Sequence, residues 1–283
     1  MKIPVQNKWL NLDGLRVHYL AGGAAGTPVI LLHGGGSDWA GLAWPSLMNS
    51  LAKYHRVFAP DLPGFGRSDK PDREYTAEFY RDFLEALARA LGLDHFSLLG
   101  SSMGGMVAVA FTLKFPRKVD RLVLVDSAGL GAEGSLVTIG YFLANVPSLY
   151  HLVRGWATRS QWFVQYGLRD LVCDGSAITE EVLKEVRQAI SLVGEGRAWQ
   201  SFLRNEATLS GFHDYSKRLQ EIACPTLIIH GSRDKLVPVS CARKAHLLIS
   251  DSILMILSQC GHWPAREKTL EFNQAVGYFL GRS

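Results

Sequence analysis

The chain has 283 residues, 47% hydrophobic and 20% charged, with a formal net charge of +4. That is the composition of an ordinary soluble globular protein, with enough chain for one large core or two smaller ones. No dense Lys/Arg run leaves a nucleic-acid footprint, no apolar run approaches a membrane span, and Met1 to Lys8 lacks the apolar centre of a signal peptide.

The cysteines stand at 173, 224, 241 and 260. They form neither a Cys-x-x-Cys pair nor a His/Cys metal spacing, so reduced thiols in a cytoplasmic protein are expected, with no metal and no disulfide frame. Trp9 to Leu20 alternates loosely around Asp13-Gly14, the pattern of an edge hairpin with a tight turn. Val29-Ile30-Leu31-Leu32 is a continuous apolar run, as in a strand buried on both faces. It leads into His33-Gly34-Gly35-Gly36. Successive glycines at a strand's carboxyl end let the backbone approach a ligand and aim N–H groups at it.

Leu42 to Leu51 is predicted as a helix and Val57-Phe58-Ala59 as a short strand. Asp61 to Asp69 is dense in turn residues and reads as a structural turn at the rim of a site. Thr76 is placed to cap a helix in which Phe79, Phe83, Leu87 and Leu91 recur every four residues, with Gly92 at its end. Phe96 to Leu99 is the next strand, and Met103 to Phe115 the helix after it, stopped by Pro116. Between them lies Gly100-Ser101-Ser102-Met103-Gly104. In such a strand–turn–helix elbow the central Ser sits at the tip of a strained turn, and small residues two before and two after let strand and helix approach. Leu122 to Val125 is the following buried strand, ending at Asp126.

Strands alternating with helices build right-handed βαβ units and a mainly parallel sheet, which binds ligands beyond the strands' carboxyl ends. His33, Ser102 and Asp126 all fall there. The rhythm breaks near Gly129, and no strand-like run appears before about Ser216. Residues 179–192 read as a helix, and Tyr141, Phe142, Trp156, Trp162, Phe163, Tyr166 and Trp199 enrich the segment in aromatics. The expected division is a core of residues 1–129 and 217–283, with a helical cap, 130–216, inserted after the sixth core strand. The sheet resumes with Thr226 to Ile229, whose loop carries Asp234, and with Ile253 to Leu257, followed by Gly261-His262-Trp263. A last helix carries Phe272, Val276, Phe279 and Leu280.

A Ser hydroxyl is a poor nucleophile until a base takes its proton, and His262 is the candidate base. An acid must hold that imidazole in the right tautomer. Asp234 stands ahead for this role and Asp126 is its rival. The amide of Met103, at a helix start, suits a developing oxyanion.

His33-Gly34-Gly35-Gly36, the Ser102 elbow, the Asp234 loop and Gly261-His262 together resemble the α/β-hydrolase superfamily, over nearly the whole chain and in its Ser, Asp, His order. The resemblance implies an α/β fold with a mainly parallel, doubly wound sheet and a helical cap. It implies no cofactor, and a second oxyanion donor from the glycine run, Gly35, with Gly36 and Ser101 beside the substrate. Ser102 stands where haloalkane dehalogenases and epoxide hydrolases of this fold place Asp. The triple glycine, Phe111 to Pro116, Cys260 to Trp263 and Glu271-Phe272-Asn273 are similar to the carbon–carbon hydrolases that cut meta-cleavage products of aromatic breakdown. That likeness implies a cap Arg on the substrate carboxylate, for which Arg187 is the match, and Trp263 on the substrate's flat chain. Those enzymes usually carry Asn where Ser101 stands. The expected activity is therefore hydrolysis of a carboxylic ester through an acyl-enzyme. Carbon–carbon hydrolysis is the alternative, and a slow-turnover ligand receptor on the same fold the third. The expected partner is a small molecule with an apolar acyl or aromatic part, with neither nucleic acid nor membrane, and with assembly into an oligomer left open.

Overall fold

The structure, a computed structural model, describes residues 4–131, 135–194, 196–209 and 211–281. The chain opens on the expected hairpin, β1 (Gln6–Leu12) and β2 (Leu15–Gly22), paired antiparallel down to Leu12 opposite Leu15. Both turn residues have positive φ, 50° at Asp13 and 88° at Gly14, which matches the twist of the flanking strands. β3 (Pro28–Leu32) follows, then two short helices, α1 (Ala40–Ala43) and α2 (Pro45–Leu51), where one was expected. Pro45 explains the break: it has no N–H to continue α1 and fits the first turn of a new helix.

β4 (Arg56–Pro60) leads to α3 (Ala77–Ala90), whose amino end is capped as expected, the Thr76 hydroxyl accepting from the Phe79 amide at 3.0 Å. Its buried face is Tyr80, Phe83, Leu84 and Leu87, while Phe79 and Leu91 lie at the margin. Each such side chain contributes about 1.5–3 kcal/mol on full burial. Then come β5 (Phe96–Ser101), α4 (Met103–Lys114) and β6 (Val119–Val125).

Next comes the run of helices α5 (Ser135–Ala144), α6 (Pro147–Arg159), α7 (Gln161–Leu171), α8 (Glu180–Val193) and α9 (Arg197–Glu206). A small hairpin, β7 (Ala207–Thr208) with β8 (Gly211–Phe212), closes the run. Two-residue strands are too short to leave a periodic signal, so the sequence pattern does not show them. The chain ends β9 (Thr226–Gly231), α10 (Val239–Leu248), β10 (Ser252–Leu257), α11 (Pro264–Glu267) and α12 (Thr269–Leu280).

One eight-stranded sheet organises the molecule, in the order β1-β2-β4-β3-β5-β6-β9-β10. It is antiparallel through β2 and β4 and parallel from β4 onward. Alternate residues feed two cores. Ile30, Leu32 and Ile228 belong to the core shared with α3, α4 and α10; Val29, Leu31, Leu227 and Ile229 belong to the one shared with α2 and α12. A third apolar cluster joins Trp39 and Leu42 to Val164, Leu168, Val182 and Val186, so α1 packs against α7 and α8. Among the described residues no helix is long and apolar enough to cross a membrane.

Candidate active site

Ser102 stands between β5 and α4 with φ 51° and ψ −116°, a conformation few side chains adopt. Its amide donates to Val125 O at 3.0 Å, and its carbonyl accepts from Gly105 and from Ala128, which pins the turn to the end of β6. The flanking glycines are required by contact. A Cβ on Gly100 would lie 2.2 Å from Gly104 O, and one on Gly104 would lie 2.4 Å from Leu32 O. Met103 opens α4, so its amide is among the first-turn donors without an intrahelical acceptor.

Beside the elbow, the glycine run is held by side chains of its own neighbourhood. His33 is buried; its Nε2 accepts from the Leu62 amide at 3.0 Å, so Nδ1 carries the proton and donates to Gly34 O at 2.7 Å. The Asp38 carboxylate accepts from the amides of Gly34 at 2.8 Å and Trp39 at 2.9 Å. Burial holds Asp38 above the ordinary carboxylate range, against His33, those two amides and Arg266. Gly36 has φ 71°. A Cβ on Gly35 would lie 2.1 Å from the Trp199 ring, so the indole of α9 lies directly on the loop.

His262 is nearly buried, and its Nδ1 donates to Asp234 Oδ2 at 2.7 Å, which leaves Nε2 as the basic nitrogen. The other Asp234 oxygen accepts from the amides of Leu236 and Val237. Burial would raise Asp234; His262 and His230 outweigh it and hold the carboxyl well below its usual range. For His262, burial lowers the pKa, but Asp234 outweighs it and the net shift is upward.

The rival acid, Asp126, is bonded elsewhere. Its Oδ1 accepts from the Gly231 amide at 2.8 Å, tying the ends of β6 and β9 together. Burial pushes its carboxyl up to about 7, opposed by His230, and its Oδ2 has no hydrogen-bond partner among the described residues. His230, which the sequence pattern does not single out, is fully buried 3.3 Å from Asp234 Oδ2 and 3.6 Å from Asp126 Oδ1. Its Nε2 donates to Val237 O at 2.9 Å. Burial opposes its charge, but Asp126 and Asp234 push it up to about 9. Asp126, His230 and Asp234 are the one cluster among the described residues compact enough to share a cation. Both Asp234 oxygens and Asp126 Oδ1 are already committed to the donors above, so the group reads as a hydrogen-bonded support.

A cavity of about 460 Å³ joins these parts. Ser101, Ser102, Gly35, Gly36, His262 and Trp263 all line it, with Asp38 the one acid among the described lining residues. Phe163, Val164 and Leu168 of α7, Val186 and Ile190 of α8 and Trp199 of α9 supply apolar wall. Arg187 is not brought there. It is exposed, because one residue along a helix turns a side chain by about 100°, and Val186 takes the inward position. No Lys or Arg is among the described residues that line the cavity.

A strained serine elbow, an Asp-oriented imidazole and a glycine loop around one cavity, on this sheet order, define a class of hydrolase. The family model described as alpha/beta hydrolase fold matches residues 27–269, and the chain belongs to that family. Among its relatives is the 2-hydroxy-6-oxo-6-(2'-aminophenyl)hexa-2,4-dienoic acid hydrolase of Metapseudomonas resinovorans, 31% identical over 97% of this chain and 91% of the relative. Another is the 2-hydroxymuconate semialdehyde hydrolase of Pseudomonas sp. (strain CF600), 30% identical over 95% of this chain and 92% of the relative. Among solved structures, the meta-cleavage product hydrolase CumD of Pseudomonas fluorescens IP01 is 28% identical, covers 96% of both chains and superposes with a TM-score of 0.80. The protein is thus a hydrolase, and these relatives carry the names of meta-cleavage product hydrolases.

Proposed function

We propose that this chain hydrolyses a carbon–carbon bond in a ring-fission product of the 2-hydroxy-6-oxo-dienoate kind, which reverses the order of the two activities expected from sequence. The observation that carries this reading is full-length similarity, 30–31% identity over at least 95% of the chain, to hydrolases named for such compounds. In this reading Ser102 is the nucleophile, His262 the base and Asp234 its orienting acid. Ser102 Oγ adds to the 6-oxo carbon while His262 Nε2 takes its proton, and the amides of Met103 and Gly35 meet the oxyanion. With the substrate as its keto tautomer, its 2-hydroxyl proton moved to carbon 5, the bond between carbons 5 and 6 breaks; its electron pair passes along the conjugated chain to the 2-oxo oxygen, which takes the proton held by His262. Water releases the acyl group by the same route in reverse. The acyl or aromatic half occupies the apolar wall of α7 and α8, so residues 130–216 serve as a cap on a core of 1–129 and 217–283.

A second reading, hydrolysis of a neutral ester, is favoured by one observation: among the described residues the cavity wall offers Asp38 and no Lys or Arg to a substrate carboxylate. The test is turnover of 2-hydroxy-6-oxo-6-phenylhexa-2,4-dienoate, followed by loss of dienolate absorbance, beside nitrophenyl esters from acetyl to hexanoyl. Dienoate turnover abolished by Ser102→Ala supports carbon–carbon hydrolysis. Ester turnover with an inert dienoate overturns it.

A further inference from the structure

We propose that the outer faces of α5, α6 and α7 form a docking surface for an anionic lipid layer. All three helices are apolar where they should be polar. Ile139 and Phe142 on α5, Leu152 and Trp156 on α6, and Trp162 and Tyr166 on α7 recur at three- or four-residue spacing and are all exposed, from 55% to 67%. Helical neighbours at that spacing share a face. The helices pack in succession, α5 on α6 and α6 on α7, and the Trp162 and Tyr166 rings stack at 5.4 Å. α7 is therefore apolar on both sides, giving Val164 and Leu168 to the cavity and Trp162 and Tyr166 to solvent. Exposed apolar surface on this scale marks an interaction site.

Charge selects the occupant. Between Glu133 and Asp170 the sequence has no acid and three arginines, Arg154, Arg159 and Arg169. Arg159 and Arg169 are exposed, and among the described residues neither is in an ion pair. A two-fold contact with a second copy would set this cationic stretch against itself. Amphipathic helices with Trp and Leu on one side and Arg around them suit the headgroup boundary of an anionic bilayer. At 10, 13 and 11 residues the helices are far too short to cross it, so they would lie on it, a mode the sequence-based expectation of no membrane partner left out. The proposal stands whichever bond the Ser102 site cleaves.

The full chain is tested by co-sedimentation with vesicles of phosphatidylcholine alone and of phosphatidylcholine with about one-third phosphatidylglycerol. Binding to the anionic vesicles, weakened by salt and accompanied by a blue shift of tryptophan emission, is expected. Arg159→Glu with Arg169→Glu should weaken it roughly tenfold. Trp156→Ser with Trp162→Ser should remove the blue shift while unfolding temperature stays unchanged. Binding to neither vesicle overturns the proposal, as does binding indifferent to the charge reversal. A concentration-dependent dimer that Trp156→Ser dissolves, with no vesicle binding, assigns the face to a second copy instead.

Discussion

Asp234 and Asp126 are two buried carboxylates a few ångströms apart, and hydrogen bonding separates their roles. Asp234 Oδ2 accepts from His262 at 2.7 Å, whereas Asp126 accepts from a backbone amide. Asp234→Asn should lower kcat by about 10⁴, as loss of the orienting acid does in such triads, with Asp126→Asn costing far less. A reversed ranking, measured on the same substrate, would reassign the acid. His262 must be neutral to act as a base, and Asp234 holds its pKa above the ordinary value despite burial. The rate of Ser102 phosphonylation by a fluorophosphonate should therefore rise with pH through a midpoint above about 6.5. A midpoint below that value would count against the pairing. Arg187→Gln should leave turnover of any substrate within about twofold, since exposed substitutions away from a site have small effects. The candidates Ser102, His262 and Asp234 could be picked out from the sequence because each follows a strand end in a loop rich in small residues. Arg187 lies outside the cavity because facing depends on register, and one residue along a helix turns a side chain by about 100°. His230 and Asp38 left no signal, since a carboxylate or imidazole declares its role only through partners distant in sequence.

At the scale of elements, the elbow works because a strand end and a helix start nearly touch. A Cβ on Gly104 would meet two backbone carbonyls, Leu32 O at 2.4 Å and His33 O at 2.5 Å, and neither can move without dragging β3. Gly104→Ala should destabilise the fold by roughly 1–3 kcal/mol or more, read by urea denaturation. Gly36 gives the contrast. Nothing lies within 4 Å of its Cβ position, so Gly36→Ala meets only the strain of φ 71° and should cost about 1 kcal/mol. Equal losses for the two would show that crowding is not what the elbow glycine relieves. Most elements were readable in advance, since buried parallel strands are continuous apolar runs and α3 carries its cap and period openly. The exceptions were local. Pro45 divides α1 from α2, and β7 and β8 are too short to show an alternation.

At the scale of the molecule, polar ties fasten the helical segment to the rest of the chain at several places, among them the Tyr75 amide on Ser201 Oγ, the Ala77 amide on Glu206 and the His262 amide on Leu171 O. The Arg266 guanidinium pairs with Glu185 of α8 at 2.5 Å and donates to Leu42 O, while Glu267 accepts from the amides of Cys173 and Gly261. The Arg266–Glu185 pair is partly exposed, so Glu185→Ala should remove no more than about 1 kcal/mol of global stability. Its local effect should be larger: faster trypsin cleavage within residues 135–206, measured under native conditions. Unchanged cleavage would mean that the Arg266–Glu185 pair does not hold the segment.

β6 and β9 lie side by side in the sheet, yet about 100 residues separate the end of one from the start of the other. That order in space has a consequence in time. On a ribosome adding roughly 5–20 residues per second, β9 follows β6 by roughly 5–20 s. Through that interval the nascent half-sheet ends in an unpaired edge, and an open edge is a template for any other extended chain. The step most exposed to misassembly is thus the wait for β9, and variants that quicken or shelter that late arrival should improve the yield of folded protein without altering the finished molecule.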